Sequence, residues 1–245
     1  MIGSTILRIS HADSTNNYAA NQLLTKRLTD GIVFVADSQI DGRGQASSKW
    51  ESEPGKNLTF SIVLFPEFLE ISRQFELSKA ISLGVADYLN ALTPNVTIKW
   101  PNDIYLGNRK VAGILIENSV RSRTISSCIV GIGLNMNQQL FISDAPNPVS
   151  LSQITGKVYN LEEELAILCG NIDVRFMQLR SGRFRELDED YSKMLYRKDI
   201  WSPYTDGNGA FEGKLLGVDL SGQLRIETKS GKVNKYLFKE VDFRI

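Results

Sequence analysis

The sequence of 245 residues holds one histidine, His11. A Ser-His-Asp or Cys-His relay would have to rest on that single imidazole, and no nucleophile motif surrounds it. His11 is expected in a solvated loop or at a strand edge. Only two cysteines are present, Cys128 and Cys169. Far apart and in apolar surroundings, they read as buried free thiols of a cytosolic protein rather than a disulfide. No His, Cys or carboxylate cluster stands at zinc-ligand spacing, so no metal ligand is assigned. Neither sign of charge is in excess, with Lys+Arg and Asp+Glu both at 28. A general electrostatic attraction to nucleic acid is therefore missing. There is no long apolar run, and the opening MIGSTILRIS lacks a basic leader and an apolar core. The expectation is a soluble cytoplasmic protein with no nucleic-acid or membrane partner. Any chemistry must run on charge placement rather than on covalent or imidazole catalysis.

What is present is a core-forming chain, 42% apolar, long enough for one large domain or one plus a small one. TILRIS reads as a strand, followed by a helix capped by Ser14 or Thr15. Leu23, Leu24 and Leu28 give that helix its apolar side, and Gly31 suits its C-terminal end. GIVFVAD and NLTFSIVLF are strands by their β-branched content. Leu77, Ile81, Val85, Leu89 and Leu92 mark a helix that Pro94 stops. VTIKW, DIYL and KVAGILIEN are short strands joined by tight turns, and SSCIVGIGLNMN is another. Asn160 and Glu163 open a further helix as a capping box. Its apolar face is Leu165, Leu168, Cys169, Ile172, Phe176 and Leu179. A shorter helix is expected over 183–194. From Trp201 the pattern becomes short alternating runs with turns at 220–222 and 230–231, a small barrel-like β-module. The boundary is placed near residues 196–200, giving units of 1–196 and 197–245.

Four stretches could carry chemistry, and each has a bland reading beside the functional one. Between two strands lies DSQIDGRGQASSKWESEPGKNLTFS. Residues 38–56 exceed the length of about 12–15 residues beyond which a loop is usually functional or disordered. Within it, Gly42-Arg43-Gly44 could present backbone N–H groups and a guanidinium to an anion. Alone, DGRG is a weak motif, and a flexible surface loop with a stray arginine is the favoured reading of it. KWPNDIYLGNRKVAGILIE can form a two-strand hairpin with Asp103 near one end and Lys110 at its tip, both off the sheet, although Pro, Asn, Asp and Gly make turns without any function. GIGLNMN superficially suggests a dinucleotide fingerprint, but Met136 stands where the third glycine belongs and no helix clearly follows. Gly131 and Gly133 instead allow a close approach by a ligand or neighbouring strand, with Asn135 at the strand end. DSTNN caps a helix and also exposes donors that could grip a small polar ligand.

Taken together and in order, DSTN, GRG with KWESEPGKNLTFS, KWPNDIYLGNRKVAGILIE and GIGLNMN resemble the biotin protein ligase family. With the terminal β-module, the resemblance covers nearly the whole chain. It implies an α/β (α+β) fold, a class II synthetase-like catalytic domain with a mixed sheet flanked by helices. A small C-terminal SH3-like β-barrel would follow. It also implies two half-reactions: biotin and ATP give biotinyl-5′-AMP and pyrophosphate, and a lysine of a biotin carboxyl carrier protein then takes the biotin. By the same resemblance, Ser14, Thr15, Asn16 and Gln39 line the biotin pocket. Gly42, Arg43, Gly44 and Gln45 cover the adenylate. Lys110 bonds carboxylate and phosphate oxygens, with Gly113 beside it, and Trp50, Asn102 and Asn135 lie on the nucleotide side. Asp103 orients the acceptor lysine or a metal, and Mg²⁺ arrives with the nucleotide. Arg43, Asp103 and Lys110 form the catalytic set, in a monomer or homodimer.

The family often has an arginine where Gln45 stands, so weaker retention of the intermediate is expected. Some members carry an N-terminal helix-turn-helix domain. Here DSTN begins at residue 13 and the single-function form is expected. The competing readings are a lipoate or octanoate ligase of the same fold, a non-enzymatic binding module and a biotin-responsive repressor.

An acyl-adenylate hydrolyses in water, so a loop closing over it would retain it until the acceptor arrives. Residues 38–56 are read as that lid. Trypsin should cut rapidly after Arg43 and Lys49 in the free protein and slowly once biotin and ATP have formed the adenylate. Equal rates with and without both ligands would show a loop that does not close.

Overall fold

The computed structural model describes residues 1–45, 48–143 and 147–244. Ala46 and Ser47, within the loop read above as a lid, lie outside the described residues. Seven strands form one mixed sheet: β1 (Ile6–Ala12), β2 (Ile32–Gln39), β3 (Leu58–Leu64), β4 (Val96–Lys99), β5 (Asp103–Leu106), β6 (Arg109–Arg121) and β7 (Thr124–Leu134). They lie side by side as β1-β2-β3-β7-β6-β5-β4. Only β1 and β2 run parallel, joined through helix α1 (Thr15–Thr25), and the other neighbours are antiparallel.

Alternation along the central strands sends side chains to two unlike faces. Leu58, Phe60, Ile62 and Leu64 of β3, with Val130, Ile132 and Leu134 of β7, join the main core. That core is closed by α2 (Gln74–Asn90) and α4 (Leu161–Arg180), through Leu77, Ile81, Val85, Leu89, Leu168 and Ile172. On the opposite face a smaller cluster gathers Ala19, Phe34, Val63 and Ile129 beneath α1. The apolar faces expected for α2 and α4 are those observed, except that Leu92 lies beyond α2 and is exposed. Asn160 caps α4, its Oδ1 accepting from Glu162 N while its amide donates to Glu163 Oε1 at 2.8 Å. Helix α5 (Phe184–Met194) starts one residue later than expected. Cys128 and Cys169 are buried and free, and His11 lies exposed on edge strand β1.

Helix α1 departs from its sequence reading. It ends at Thr25 with Lys26 as C-cap, Leu24 is exposed, and the Ser14 side chain makes no capping bond. Gly31 instead adopts φ +86° in the turn leading into β2, where its N–H donates to Val63 O. A short helix, α3 (Leu151–Thr155), was not expected. It opens with a capping box in which Gln153 N donates to Ser150 Oγ and Ser150 N donates to Gln153 Oε1.

The remaining strands, β8 (Trp201–Asp206), β9 (Gly209–Val218), β10 (Leu224–Thr228), β11 (Val233–Tyr236) and β12 (Val241–Phe243), make a five-stranded antiparallel sheet. It is bound closely to the larger sheet. Trp100 Nε1 donates to Gly222 O at 2.9 Å, and the Trp100 ring meets Phe238 edge-on. Tyr196 packs against both Tyr105 and Phe243.

Between α2 and α5 lies a buried charge cluster. Lys79 Nζ is 3.2 Å from Glu76 Oε1 and also pairs with Asp188. Glu76 is fully buried, and its Oε2 has no partner among the described residues. Burial raises its carboxyl above the usual range, with Lys79 opposing. A raised folded-state value means the native chain holds the proton more firmly than the unfolded chain. That contribution is complete below the unfolded carboxyl value and is lost as pH rises through the folded one. Wild type should therefore gain stability relative to Glu76→Gln as pH falls from 7 towards 5. Paired urea titrations read this, and a pH-independent difference would contradict it.

Candidate active site

The face of the sheet below α1 is cleared by glycine. Register places Thr59, Gly133, Gly113 and Asp103 in one row across β3, β7, β6 and β5, and Ser61, Gly131 and Leu115 in the next. A side chain on these glycines would collide with what now fills the space. A Cβ at Gly133 would stand 2.2 Å from Trp50 Cε2, and one at Gly131 2.3 Å from Asn16 Oδ1. The G-x-G spacing in β7 thus admits the side chains of Asn16 and Trp50, where the sequence suggested a ligand or a neighbouring strand. The floor belongs to a cavity of about 430 Å³.

One end of the cavity is polar and comes from the first turn of α1. Thr15 N donates to Gln39 Oε1 at 2.8 Å. Ser61 Oγ donates to Asn16 Oδ1 at 2.6 Å, with Thr15 Oγ1 2.8 Å away. Asn16 Nδ2 in turn donates to Glu117 Oε2 at 2.7 Å. Ser14, Thr15 and Asn16 are buried, so their polar groups are held in fixed directions.

The long loop lies over the other side. Trp50 N donates to Gly42 O at 2.8 Å and Gly44 N to Ser48 O at 2.7 Å, pairing 42–44 with 48–50. The Trp50 ring rests on the glycine floor, its Nε1 buried without a partner among the described residues. Arg43 Nη1 donates to Asn17 Oδ1 at 2.6 Å, and Nη2 to Glu117 Oε1 at 2.8 Å. Farther along, the Glu51 carboxylate accepts from Ile142 N and Ser143 N, both at 2.9 Å. Burial would raise this carboxyl, but these bonds, with Ser143 foremost, hold it below the usual range.

Cations and carboxylates meet at the β5–β6 hairpin. Lys110 Nζ lies 2.6 Å from Asp103 Oδ1 and 5.6 Å from the Trp50 ring centre. Lys99 Nζ sits over the rings of Tyr105 and Phe243, at 5.5 and 5.1 Å. Burial pushes its ammonium below the usual lysine range, against the pull of Asp103. Asn102 locks the turn, its amide donating to Ile114 O at 2.6 Å while its own carbonyl accepts from Ile114 N. Among the described residues no three His, Cys, Asp or Glu side chains are grouped to hold a metal. The arrangement can bind a small polar molecule at one end, an anion near Arg43 and Lys110, and a flat ring beside Trp50.

Residues 9–135 match the biotin/lipoate A/B protein ligase family. The chain belongs to that family. It is 30% identical over 234 residues to the bifunctional ligase/repressor BirA of Bacillus spizizenii, spanning 89% of this chain and 68% of that protein. It is 30% identical over 233 residues to the biotin–[acetyl-CoA-carboxylase] ligase of Paracoccus denitrificans, spanning 91% of this chain and 95% of that one. The structure of the Aquifex aeolicus biotin protein ligase in complex with biotin and ATP superimposes with a TM-score of 0.81. There the identity is 28%, covering 98% of this chain and 99% of that one. The fold is accordingly the class II synthetase-like α/β arrangement with a C-terminal SH3-like sheet.

Among the residues lining the cavity of this ligase-family chain are Ser14, Thr15, Asn16, Gln39, Arg43, Gly44, Gln45, Trp50, Asn102, Asp103, Lys110 and Gly113, which the family resemblance had named. Gly42 and Asn135 are not part of the lining. Gly42 stands behind it, where a Cβ would strike Trp50 O at 2.5 Å. Asn135 is buried and its amide donates to Val149 O at 3.2 Å, a contact that braces the strand end. Lys110 lies opposite Tyr105 rather than at the hairpin tip, and its side chain reaches Asp103 past a bulge in β5–β6.

Sequence reasoning missed Lys99, Ser61 and Glu117. It also missed the wall built by Phe238, Lys239, Val241, Asp242 and Phe243 of the C-terminal sheet. Ser61 and Glu117 sat within quoted motifs, and period-2 alternation would have placed both on the cavity face. The C-terminal wall had no local signal.

The glycine floor yields a test. Gly131→Ala should cost about 1–3 kcal/mol by overpacking, because Asn16 cannot stay bonded to Ser61. Adding Asn16→Ala should recover part of that loss, a non-additivity expected of touching residues. Urea unfolding of the single and double variants reads it; simple additivity would refute the contact.

Proposed function

We propose that this protein is an ATP-dependent biotin protein ligase. The observation that carries the reading is the convergence of Arg43, Lys110 and Asp103 on one glycine-floored cavity whose other end is the polar Thr15–Asn16–Gln39 corner. Family membership and the biotin- and ATP-bound Aquifex aeolicus relative support it. They also favour biotin over lipoate as substrate.

In the first step, a carboxylate oxygen of biotin attacks the α-phosphorus of ATP. The α–β phosphoanhydride bond breaks, giving biotinyl-5′-AMP, and pyrophosphate leaves with the bonding electron pair. In the second, the neutral amine of an acceptor lysine attacks the acyl carbon. The acyl–phosphate bond breaks, AMP departs, and the amine loses a proton. Neither step needs an enzyme nucleophile. Both need orientation and stabilised oxygen charge. Ser14, Thr15, Asn16 and Gln39 are assigned to the biotin head group. Lys110 is assigned to the oxygens between which charge shifts, and Arg43, Gly44 and Gln45 to cover of the adenylate. Trp50 and Asn102 are assigned to the nucleotide. Asp103 takes the role of orienting Lys110 and then the incoming amine. Asn135 and Gly42 are assigned supporting positions only.

Mg²⁺ is taken to enter with the nucleotide, neutralising phosphate charge. Asp103 and Asp242, the two carboxylates of the described lining, are hard oxygen donors suited to it. The acceptor is a lysine of a biotin carboxyl carrier protein. The catalytic unit is assigned to 1–196 and the SH3-like unit to 197–245, the latter lending one cavity wall. The reading extends to a cytoplasmic monomer or homodimer that needs neither nucleic acid nor membrane; the formal net charge of zero supports the first exclusion.

Biotin-dependent ATP–pyrophosphate exchange tests the assignment, with lipoate as competitor. Exchange should require biotin and resist lipoate. Lys110→Ala should lower it about 10²–10³-fold, the usual loss of a transition-state donor, with little change in unfolding midpoint. Near-normal exchange in that variant would remove Lys110 from the catalytic set.

A further inference from the structure

Glu117 does not line the cavity, yet it joins two groups that do. One carboxylate oxygen accepts from Arg43 Nη2 at 2.8 Å, and the other accepts from Asn16 Nδ2 at 2.7 Å. Asn16 is buried and fixed from its other side by Ser61 Oγ at 2.6 Å. Arg43 is also gripped by Asn17 Oδ1, and Asn17 is itself oriented by donating to Asp13 Oδ2 at 2.7 Å. A continuous chain of bonds thus runs from β3 through the head of the pocket to the guanidinium in the loop.

We propose that Glu117 is a positioning residue, holding the Arg43 guanidinium at the cavity rim and tying the paired arms 42–45 and 48–50 to the pocket. This rests on the biotin ligase reading only in naming the anion that Arg43 awaits. A guanidinium carries five N–H donors, and the two bonds donated to Asn17 and Glu117 leave others free for a phosphate. The carboxylate thereby fixes the plane of the fork before the ligand arrives. The pair is accessible, at 42% and 37% side-chain exposure. Exposed pairs are weak and readily exchanged, so the tether can yield when the loop moves. Its location favours this role over plain structural pairing. Glu117 stands on β6 in register with Ile129, on the same face as Gly113 and Leu115, and α1 supplies both its other partner, Asn16, and the second partner of Arg43, Asn17.

The test uses Glu117→Gln, Arg43→Ala and their combination in the full chain. Glu117→Gln keeps the shape and removes the charge. Trypsin cleavage after Lys49, which bridges to Arg43 across the turn, reports the tether without any assay of activity. Cleavage in the ligand-free protein should rise about three- to fivefold in Glu117→Gln, as for loss of one exposed pair. In the Arg43→Ala background the same substitution should change it no further. Pyrophosphate exchange should fall in Glu117→Gln through kcat, with the KM for biotin near that of wild type. Unchanged cleavage in Glu117→Gln, or an equal rise in both backgrounds, overturns the proposal. If wild type shows no biotin-dependent exchange, the ligase reading fails while the cleavage comparison still decides the role of Glu117.

Discussion

The close approach of side chains to a bare sheet is the constraint on which the rest of the site depends. A β-sheet face normally carries a side chain at every second residue. Here Gly131, Gly133 and Gly113 leave a trough one side chain deep. Asn16 descends into it from α1 and Trp50 from the loop. The opposite face of the same strands is packed by Val130, Ile132 and Ile114 into the main core. The floor is therefore rigid because its reverse side is full, and accessible because its near side is empty. Loss of strand propensity at the glycines is offset by neighbours paired on both sides and by apolar side chains buried behind them.

The inventory of the site matches chemistry that uses charge and position in place of a nucleophile. The lone histidine is exposed on edge strand β1 and is not among the residues lining the cavity, and both thiols are buried. Burial raises the Cys169 thiol to about 12, far from the thiolate character a nucleophile needs. What the cavity offers is cations whose settings differ. Arg43 is exposed on a loop and held by an exchangeable pair. Lys110 is half-buried on a strand and paired with Asp103. Lys99 is enclosed by aromatic rings, with its ammonium depressed by burial. A charge carried by a loop can move with a ligand, and one carried by a strand keeps its place.

The C-terminal sheet is part of the site's construction. Its segment 238–243 walls the cavity, and the Trp100 indole N–H is satisfied by the carbonyl of Gly222. A tryptophan of the KWPND run, which a sequence reading could equally place in the core, is therefore both buried and a strut between the sheets. The same contact brings Lys99 under Phe243.

The sequence by itself determined the alternation of strands and helices, the core faces of α2 and α4, and the change to short strands after residue 200. Those features rest on periodicity and turn chemistry, which act over a few residues. Part of the cavity lining was also legible, through the family resemblance carried by short ordered runs such as DSTN, GRG and KWPND. The course of α1 beyond Thr25 was not, since Leu24 has helical spacing but no surface to pack on. Nor was the role of Asn135, whose amide goes to a strand brace at Val149. Tertiary structure alone decided which residues from distant segments share a site. Glu117, Asn16 and Arg43 meet because sheet order sets β7 between β3 and β6, and because α1 and the loop descend on the same face. The bonds of Glu117 to Arg43 and Asn16 join residues separated by 74 and 101 positions. No local pattern records them, because their geometry exists only once the whole sheet has closed.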